Sequence, residues 1–263
     1  MSTIIDTIAA HNRELVEEKK KKVSADEMQR RALDLPKDTH FLFREKLKEP
    51  GISFICEVKK ASPSKGLIAK DFPYVEIARE YEAAGASAIS CLTEPKWFLG
   101  KDEYLTEIAE AVTLPVLRKD FIIDPYMIYE AKVLGASAVL LIVSLLSREE
   151  LKEWRQIAED LGMDALVEAY NEEELDMAVE SGARIVGVNN RDLKDFSVDT
   201  AHAASLRAQV PKEVLFVSES GISTRADVAA LEEDGTDAVL IGETLMRAKD
   251  KKKKLNTLRG EST

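Results

Sequence analysis

One recurrence narrows the fold more than any other feature: four times, a helix-like segment stops at a glycine and an apolar, β-rich run begins at once. The four segments are EAAGASAISCL (82–92), KVLGASAVLLIV (132–143), VESGARIVGVNN (179–190) and EEDGTDAVLIG (232–242). Gly85, Gly135, Gly182 and Gly235 fall about fifty residues apart, a period that signals a repeat architecture. Glycine suits the position just past a helix end, where the backbone turns left-handed, and the next strand can then start within a few residues. Four further strand-like runs lie between these marks: ISFICEV (52–58), LPVLRK (114–119), DALVEA (164–169) and EVLFVSE (213–219). Strands alternating with amphipathic helices imply an α/β fold with a parallel sheet, and eight such units imply a closed (β/α)8 TIM barrel. An open doubly wound sheet is the competitor. The regular repeat and the lack of a GxGxxG after the first run weigh against it.

Residues 1–263 are expected to form a single domain of which 1–50 is a helical N-terminal extension packed on the barrel, with Ile4, Ile8 and Leu15 on one helical face and a second helical patch around Phe41, Phe43 and Leu47. Helices are also expected over 124–134, opened by an Asp-Pro pair, and over 223–233, opened by Ser223 and carrying Asp227. The lysine runs 19–22 and 251–254 read as solvated helix faces. A net charge of −11 disfavours nucleic acid and anionic membranes as partners. Cys56 and Cys91 sit in apolar runs and read as reduced core thiols. The amino terminus lacks the pattern of a secretory signal, and the longest apolar run (138–146) is too short to span a bilayer, so a cytoplasmic protein is expected.

In such a barrel the chemistry sits at the C-terminal ends of the strands. The first run ends Glu57-Val58-Lys59, the third at Lys119, the fifth at Glu168, the sixth at Asn189-Asn190-Arg191, the seventh at Glu219-Ser220-Gly221 and the eighth at Gly242-Glu243-Thr244. Strand period two puts Glu57 and Lys59 on one face, opposite Val58, and Lys119 on the face opposite Arg118 and Asp120. Two lysines, three glutamates and an asparagine thus converge on one mouth. Ion pairs that merely plug the barrel end are the bland alternative, but buried pairs stabilise poorly, and converging charges can tune one another's pKa. His11, His40 and His202 end no strand, and neither HxH nor CxxC occurs, so acid–base work falls to Lys and Glu and no metal site is expected. Ser220-Gly221-Ile222-Ser223 and Gly242-Glu243-Thr244, in the last two loops, suggest a phosphate cradle.

EVKKASPSKG (57–66), LRKDFIID (117–124), LVEAY (166–170), VGVNNRDL (186–193), VSESGI (217–222) and LIGETLMR (240–247) resemble, in order and spacing, the motifs of the indole-3-glycerol phosphate synthases. The pairing of ExKxxSPSKG with LRKDF is highly specific, and the similarity runs over nearly the whole chain. The resemblance implies closure of a pyrrole ring on 1-(2-carboxyphenylamino)-1-deoxyribulose 5-phosphate, with loss of carbon dioxide and water and with neither cofactor nor metal. It implies Lys119 as general acid, Glu168 as the carboxylate facing the anilino group, and Lys59, paired with Glu57, at the substrate's anionic end and in dehydration. Asn189 and Glu219 would orient substrate and lysines, and Arg191 would pin the carboxylates. Phosphate would sit against the Ser62 loop, Ser220–Gly221 and Gly242–Glu243, and Phe121, Leu140 and Ile142 would line the pocket for the aromatic ring.

Two features depart from the family's pattern. Tyr170 stands where histidine is common, and the loop within 93–105 carries Lys96, Trp97 and Lys101 where smaller or neutral residues are expected. A phosphoribosylanthranilate isomerase would need a Cys or Asp pair at the first and middle strand ends, where this chain has Glu57, Lys59 and Lys119. A non-catalytic barrel is the reading from another class, and the full set of expected residue types speaks against it. The expected partners are a phosphorylated small molecule and at most weak association of a monomer with other tryptophan-pathway enzymes.

Overall fold

A computed structural model describes residues 3–37, 40–192 and 196–261; Leu193, the end of one quoted motif, lies outside them. The extension contributes helices α1 (Ile4–Lys22), α2 (Ala25–Leu33) and α3 (Leu42–Leu47). Strand β1 (Ser53–Val58) is followed by a small hairpin of β2 (Ala61–Ser62) and β3 (Gly66–Leu67), then α4 (Tyr74–Ala83), β4 (Ala88–Leu92), α5 (Asp102–Ala111), β5 (Val116–Lys119), α6 (Pro125–Val133) and β6 (Ala138–Ile142). The second half runs α7 (Arg148–Asp160), β7 (Asp164–Ala169), α8 (Glu172–Glu180), β8 (Ile185–Asn189), α9 (His202–Arg207), β9 (Leu215–Glu219), α10 (Arg225–Glu233), β10 (Ala238–Ile241), α11 (Glu243–Met246) and α12 (Lys251–Arg259). Eight parallel strands close in the order β1-β10-β9-β8-β7-β6-β5-β4, which makes the sheet a barrel and removes the open-sheet alternative.

The four glycine marks do what their recurrence suggests. Gly85, Gly135, Gly182 and Gly235 all have φ between 76° and 91°. At each, the glycine N–H and the next N–H donate back to the last turn of the helix, as in Gly85 to Glu82 and Ala86 to Tyr81. This is the Schellman closure, which satisfies carbonyls that the helix end would otherwise strand. Gly162 (φ 77°) makes a fifth, ending α7 ahead of β7. The helix expected from Ser223 starts one residue later: Thr224 caps it, while the Ser223 N–H and hydroxyl donate to Asp227.

Side chains alternate along each strand. Ile55, Leu117, Leu166, Ile185, Val217 and Leu240 fill the barrel, whereas Phe54, Cys56, Ile89, Cys91, Val139, Val167 and Phe216 pack under the helices. Both cysteines are buried and unpaired. The extension closes the barrel at its two ends. At the bottom, Phe43 and Leu47 of α3 join the inner cluster, the Arg44 N–H donates to Asp164 at 2.9 Å, and Ser53 Oγ donates to Lys46 O. At the top, Ile8 of α1 joins the same cluster.

The first lysine run is therefore not simply solvated, a correction to the sequence expectation. Lys19 bridges Asp102 (2.5 Å) and Glu130 (2.8 Å), and Lys20 reaches Asp124 at 2.7 Å. The run ends α1 beside acidic groups of α5 and of the α6 start, and charge complementarity draws two of its lysines onto the barrel. The second run is divided as well: Lys251 faces Glu80 and Lys254 donates to Ser223 O, while Lys252 and Lys253 are exposed. No helix among the described residues is long and apolar enough to cross a membrane.

Burial beneath α3 pushes the Asp164 carboxyl up from 3.8 to about 6, against the Arg44 N–H and guanidinium, which favour its charge. A raised folded pKa makes a contribution that is complete at low pH and is lost as pH rises through about 6. Asp164→Asn keeps an oxygen for the Arg44 N–H and removes the buried charge. It is expected to stabilise the protein by about 2 kcal/mol near pH 8, with the gain fading toward about pH 4. Thermal unfolding of both proteins across that range checks it, and a gain independent of pH contradicts it.

Candidate active site

The inward face of five strands changes from apolar to polar on its last pleat. Ile55 is followed two residues on by Glu57, Leu117 by Lys119, Leu166 by Glu168 and Val217 by Glu219, while β8 runs from Ile185 past Gly187 to Asn189. These polar ends open into a cavity of about 520 Å³. Lys119 Nζ stands 2.8 Å from Glu168 and 3.0 Å from Glu219. Just beyond the end of β1, Lys59 Nζ lies 2.5 Å from Glu57. Asn189 Nδ2 reaches Glu168 at 3.5 Å, and its Oδ1 accepts from the Arg191 N–H at 3.0 Å. All six residues expected to do chemistry line this cavity.

Burial opposes the Lys119 charge, but the carboxylates of Glu168, Glu219 and Glu57 outweigh it and hold the ammonium well above its usual range. Burial pushes the Glu219 carboxyl up to about 8; Lys119 opposes this, and the neighbouring Glu168 and Glu57 add to it. Glu219 Oε1 is buried without a hydrogen-bond partner. A proton held there near neutral pH leaves two ammonium groups facing two carboxylates, which balances a mouth that would otherwise carry an unpaired buried negative charge.

Close backbone approach makes room for these pairs. A Cβ added to Gly242 would lie 2.2 Å from Glu57 Oε1 and 2.9 Å from Lys59 Nζ, and one on Gly187 would lie 2.4 Å from Glu219 Oε1. Gly242 thus backs the first ion pair and does not itself line the cavity. Glu243, beside it, does line the cavity, as do Ser62, Ser220 and Gly221. Ser220 and Gly221 are both left-handed (φ 69° and 79°), and the side-chain amide of the outward-facing Asn190 donates to Ser220 O at 3.1 Å. Two cations not singled out in the sequence stand at this end: Lys65, 3.7 Å from Glu243, and Arg247, 3.0 Å from it. Both fall inside quoted motifs, SPSKG and LMR, so the signal was present in the sequence.

Arg191 lines the cavity, but its guanidinium donates to Phe196 O (3.1 Å), and among the described residues it forms no ion pair with the three glutamates. Phe121, Leu140 and Ile142 form an apolar wall together with Phe98, whose ring lies 6.0 Å from that of Phe121. Ile4, Ile5 and Ile8 of α1 complete the lining from above. Phe98 is delivered by a loop wound around Glu94, a fully buried residue whose carboxylate accepts the N–H groups of Lys96, Trp97 and Phe98 at 2.7–2.9 Å. Trp97 packs edge-on against His11 of α1, with Lys96 over its ring. Tyr170 stacks on His202, away from the cavity lining. No group of His, Cys, Asp and Glu among the described residues is arranged to hold a metal ion.

A family model described as indole-3-glycerol phosphate synthase matches residues 5–258. A relative of that name from Ruminiclostridium cellulolyticum is 53% identical over 259 residues, covering 98% of this chain and 100% of its own length. Another of that name, from Endomicrobium trichonymphae, is 52% identical, with 97% and 99% covered. Among solved structures, KGPDC from Streptococcus mutans superposes with a TM-score of 0.63 at 11% identity, covering 80% of this chain and 96% of its own. A mutant tryptophan synthase alpha-subunit from Pyrococcus furiosus gives a TM-score of 0.60 at 17% identity, covering 79% and 98%. At such identities these two structures speak for the barrel fold alone.

Gly242 has a negative φ (−110°), outside the left-handed region that favours glycine, so a substitution there tests chiefly the close approach. Gly242→Ala is expected to lower the free energy of unfolding by about 2–4 kcal/mol by prising apart a buried ion pair. Denaturant unfolding measures it. A change below about 0.5 kcal/mol would show that the pair yields to the methyl group.

Proposed function

The chain belongs to the indole-3-glycerol phosphate synthase family, and from that premise we infer how its barrel mouth performs the family's reaction. The enzyme is a carbon–carbon lyase that converts 1-(2-carboxyphenylamino)-1-deoxyribulose 5-phosphate to indole-3-glycerol phosphate, releasing carbon dioxide and water. The observation that carries the assignment of roles is Lys119 Nζ held between Glu168 and Glu219 at the cavity mouth.

The aromatic carbon bearing the carboxylate attacks the ribulose carbonyl carbon. A C–C bond forms, and the carbonyl oxygen takes a proton from Lys119. A preorganised, buried ammonium stabilises the developing alkoxide far more than water could. Ring attack leaves a cationic iminium at the anilino nitrogen, and the Glu168 carboxylate faces it. Loss of carbon dioxide then breaks the C–carboxylate bond and returns its electron pair to the ring. In dehydration, Lys59 protonates the leaving hydroxyl and Glu168 removes a proton from the former C1 methylene, which completes the pyrrole. Two protons are donated and one is recovered, so each turnover consumes one proton, as replacing a carboxylate by neutral carbon dioxide requires.

Asn189 orients Glu168 through its 3.5 Å contact, and Arg191 stands at the rim to meet the substrate's carboxylate. Phosphate sits against Ser62, Ser220–Gly221 and Glu243, where the first N–H groups of α11 lack intrahelical partners, and Lys65 and Arg247 offset the charge of Glu243. The apolar wall takes the aromatic ring. We further read residues 1–263 as one domain, working as a cytoplasmic monomer with at most weak association with other tryptophan-pathway enzymes. Cross-links such as Lys19 to Asp102 favour a single folding unit, and the net charge of −11 favours dispersion.

Purified protein given the substrate is expected to generate indole fluorescence without added metal. Lys119→Ala should cut kcat by about 10²–10⁴-fold while binding of a phosphate-bearing analogue changes only a few-fold. Normal turnover in that variant removes Lys119 as the acid.

A further inference from the structure

We propose that Asn12, in α1, is a positioning residue for this reaction: its amide locks the segment Lys119-Asp120-Phe121, and so the direction in which Lys119 and the Phe121 ring enter the cavity. The inference rests on the reading of Lys119 as acid. Asn12 is 3% exposed, and its Nδ2 donates to Asp120 Oδ1 at 3.0 Å and to Phe121 O at 2.9 Å. One side chain, more than a hundred residues away in sequence, thus spends both amide hydrogens on the two residues that follow Lys119. Both of its partners are acceptors, so the nitrogen must face them; the amide oxygen could not.

The segment has little freedom left once this contact is made. Asp120 also accepts the Phe121 N–H (2.8 Å) and the Thr93 hydroxyl (2.5 Å), and lies 3.5 Å from Arg118. The Thr93 N–H in turn donates to Lys119 O. Both carboxylate oxygens of Asp120 and the Lys119 carbonyl are therefore tied, and Asn12 is the tie that comes from outside the barrel. Helical spacing gives the contact a second consequence. Ile4, Ile5 and Ile8 lie eight, seven and four residues before Asn12, hence on its face of α1, and all three line the cavity. The amide that fixes the lysine-bearing segment also sets how far this apolar roof reaches over the substrate's ring. Asn12 touches no reacting atom; it acts through Asp120 and Phe121.

Asn12→Ala removes both hydrogen bonds, and Asn12→Gln keeps an amide that is one methylene too long to reach both acceptors. Each is expected to lower kcat by about tenfold at temperatures where the variant is still fully folded, because a small misplacement of a reacting group costs rate. The unfolding midpoint falls as well, since two buried hydrogen bonds are lost. Asn12→Asp, which sets a carboxylate against two acceptors, should lower kcat further. Because one of the two bonds of Asn12 ends on Asp120 and the other on Phe121 O, the losses of Asn12→Ala and Asp120→Ala should combine to clearly less than their product. Steady-state kinetics with circular dichroism reads all five variants. Parental kcat in folded Asn12→Ala and Asn12→Gln overturns the proposal, as does a loss confined to the midpoint or a fully multiplicative loss in the double variant. Lys119→Ala separates the two readings: if it is active, the acid assignment fails, whereas inert Asn12 substitutions beside a dead Lys119→Ala remove only the lock.

Discussion

Two ammonium groups shared among three buried carboxylates hold the mouth of this barrel, and most of the surrounding architecture serves that arrangement. Charges this deep gain little over apolar packing, and an unmatched one is costly. The balance is kept by number and by protonation: Lys59 answers Glu57, Lys119 answers Glu168, and the third carboxyl, Glu219, is driven by burial toward its neutral form. The glycines at 187 and 242 then read as steric consequences of the cluster, since any side chain there would occupy the space that the carboxylates need.

Strand β5 carries the arrangement in its most compact form. Leu117, Lys119 and Phe121 face the interior, while Arg118 and Asp120 face α1, α5 and α6, where Arg118 is buried among Asp102, Asp120 and Glu130. Each face of one strand thus carries a buried cation, matched by acids on its own side. A shift of one residue would bring Arg118 and Asp120 into the barrel and send Lys119 among the helices, breaking both networks at once. Specification of register therefore comes from two faces, and the outer network is as much a condition for the chemistry as the inner one.

Much of this was legible in the sequence, because the relevant signals are local and periodic. Helix-ending glycines repeat along the chain, and strand alternation alone puts Glu57 with Lys59 and sets Lys119 against Arg118. The proposed phosphate end was legible as loops with glycine, though Gly242 turned out to back an ion pair. What stayed hidden depends on contacts between distant segments. Asn12 and Lys19 look like ordinary polar positions of a helix until α1 is laid across β5, and the lysine run reads as solvated because nothing local shows that Asp102 and Glu130 will face it. Glu94 is a loop acid in sequence and a hub for three N–H groups in space.

The extension has a different task at each end of the barrel. At the bottom, α3 seals the inner apolar layers with Phe43 and Leu47 and covers a buried carboxyl, Asp164, as part of the seal. At the top no such plug is possible, because the last inward layer must stay open to substrate. Helix α1 therefore covers the mouth from one side only: an apolar stripe over the cavity, an amide on the β5 end, and ammonium groups on the acids of α5 and α6. Apolar contact alone would let such a helix slide along the rim, since it is non-directional. Hydrogen bonds and ion pairs fix its position along the rim, and the proposed use of one ammonium at one carbonyl oxygen requires that fixity.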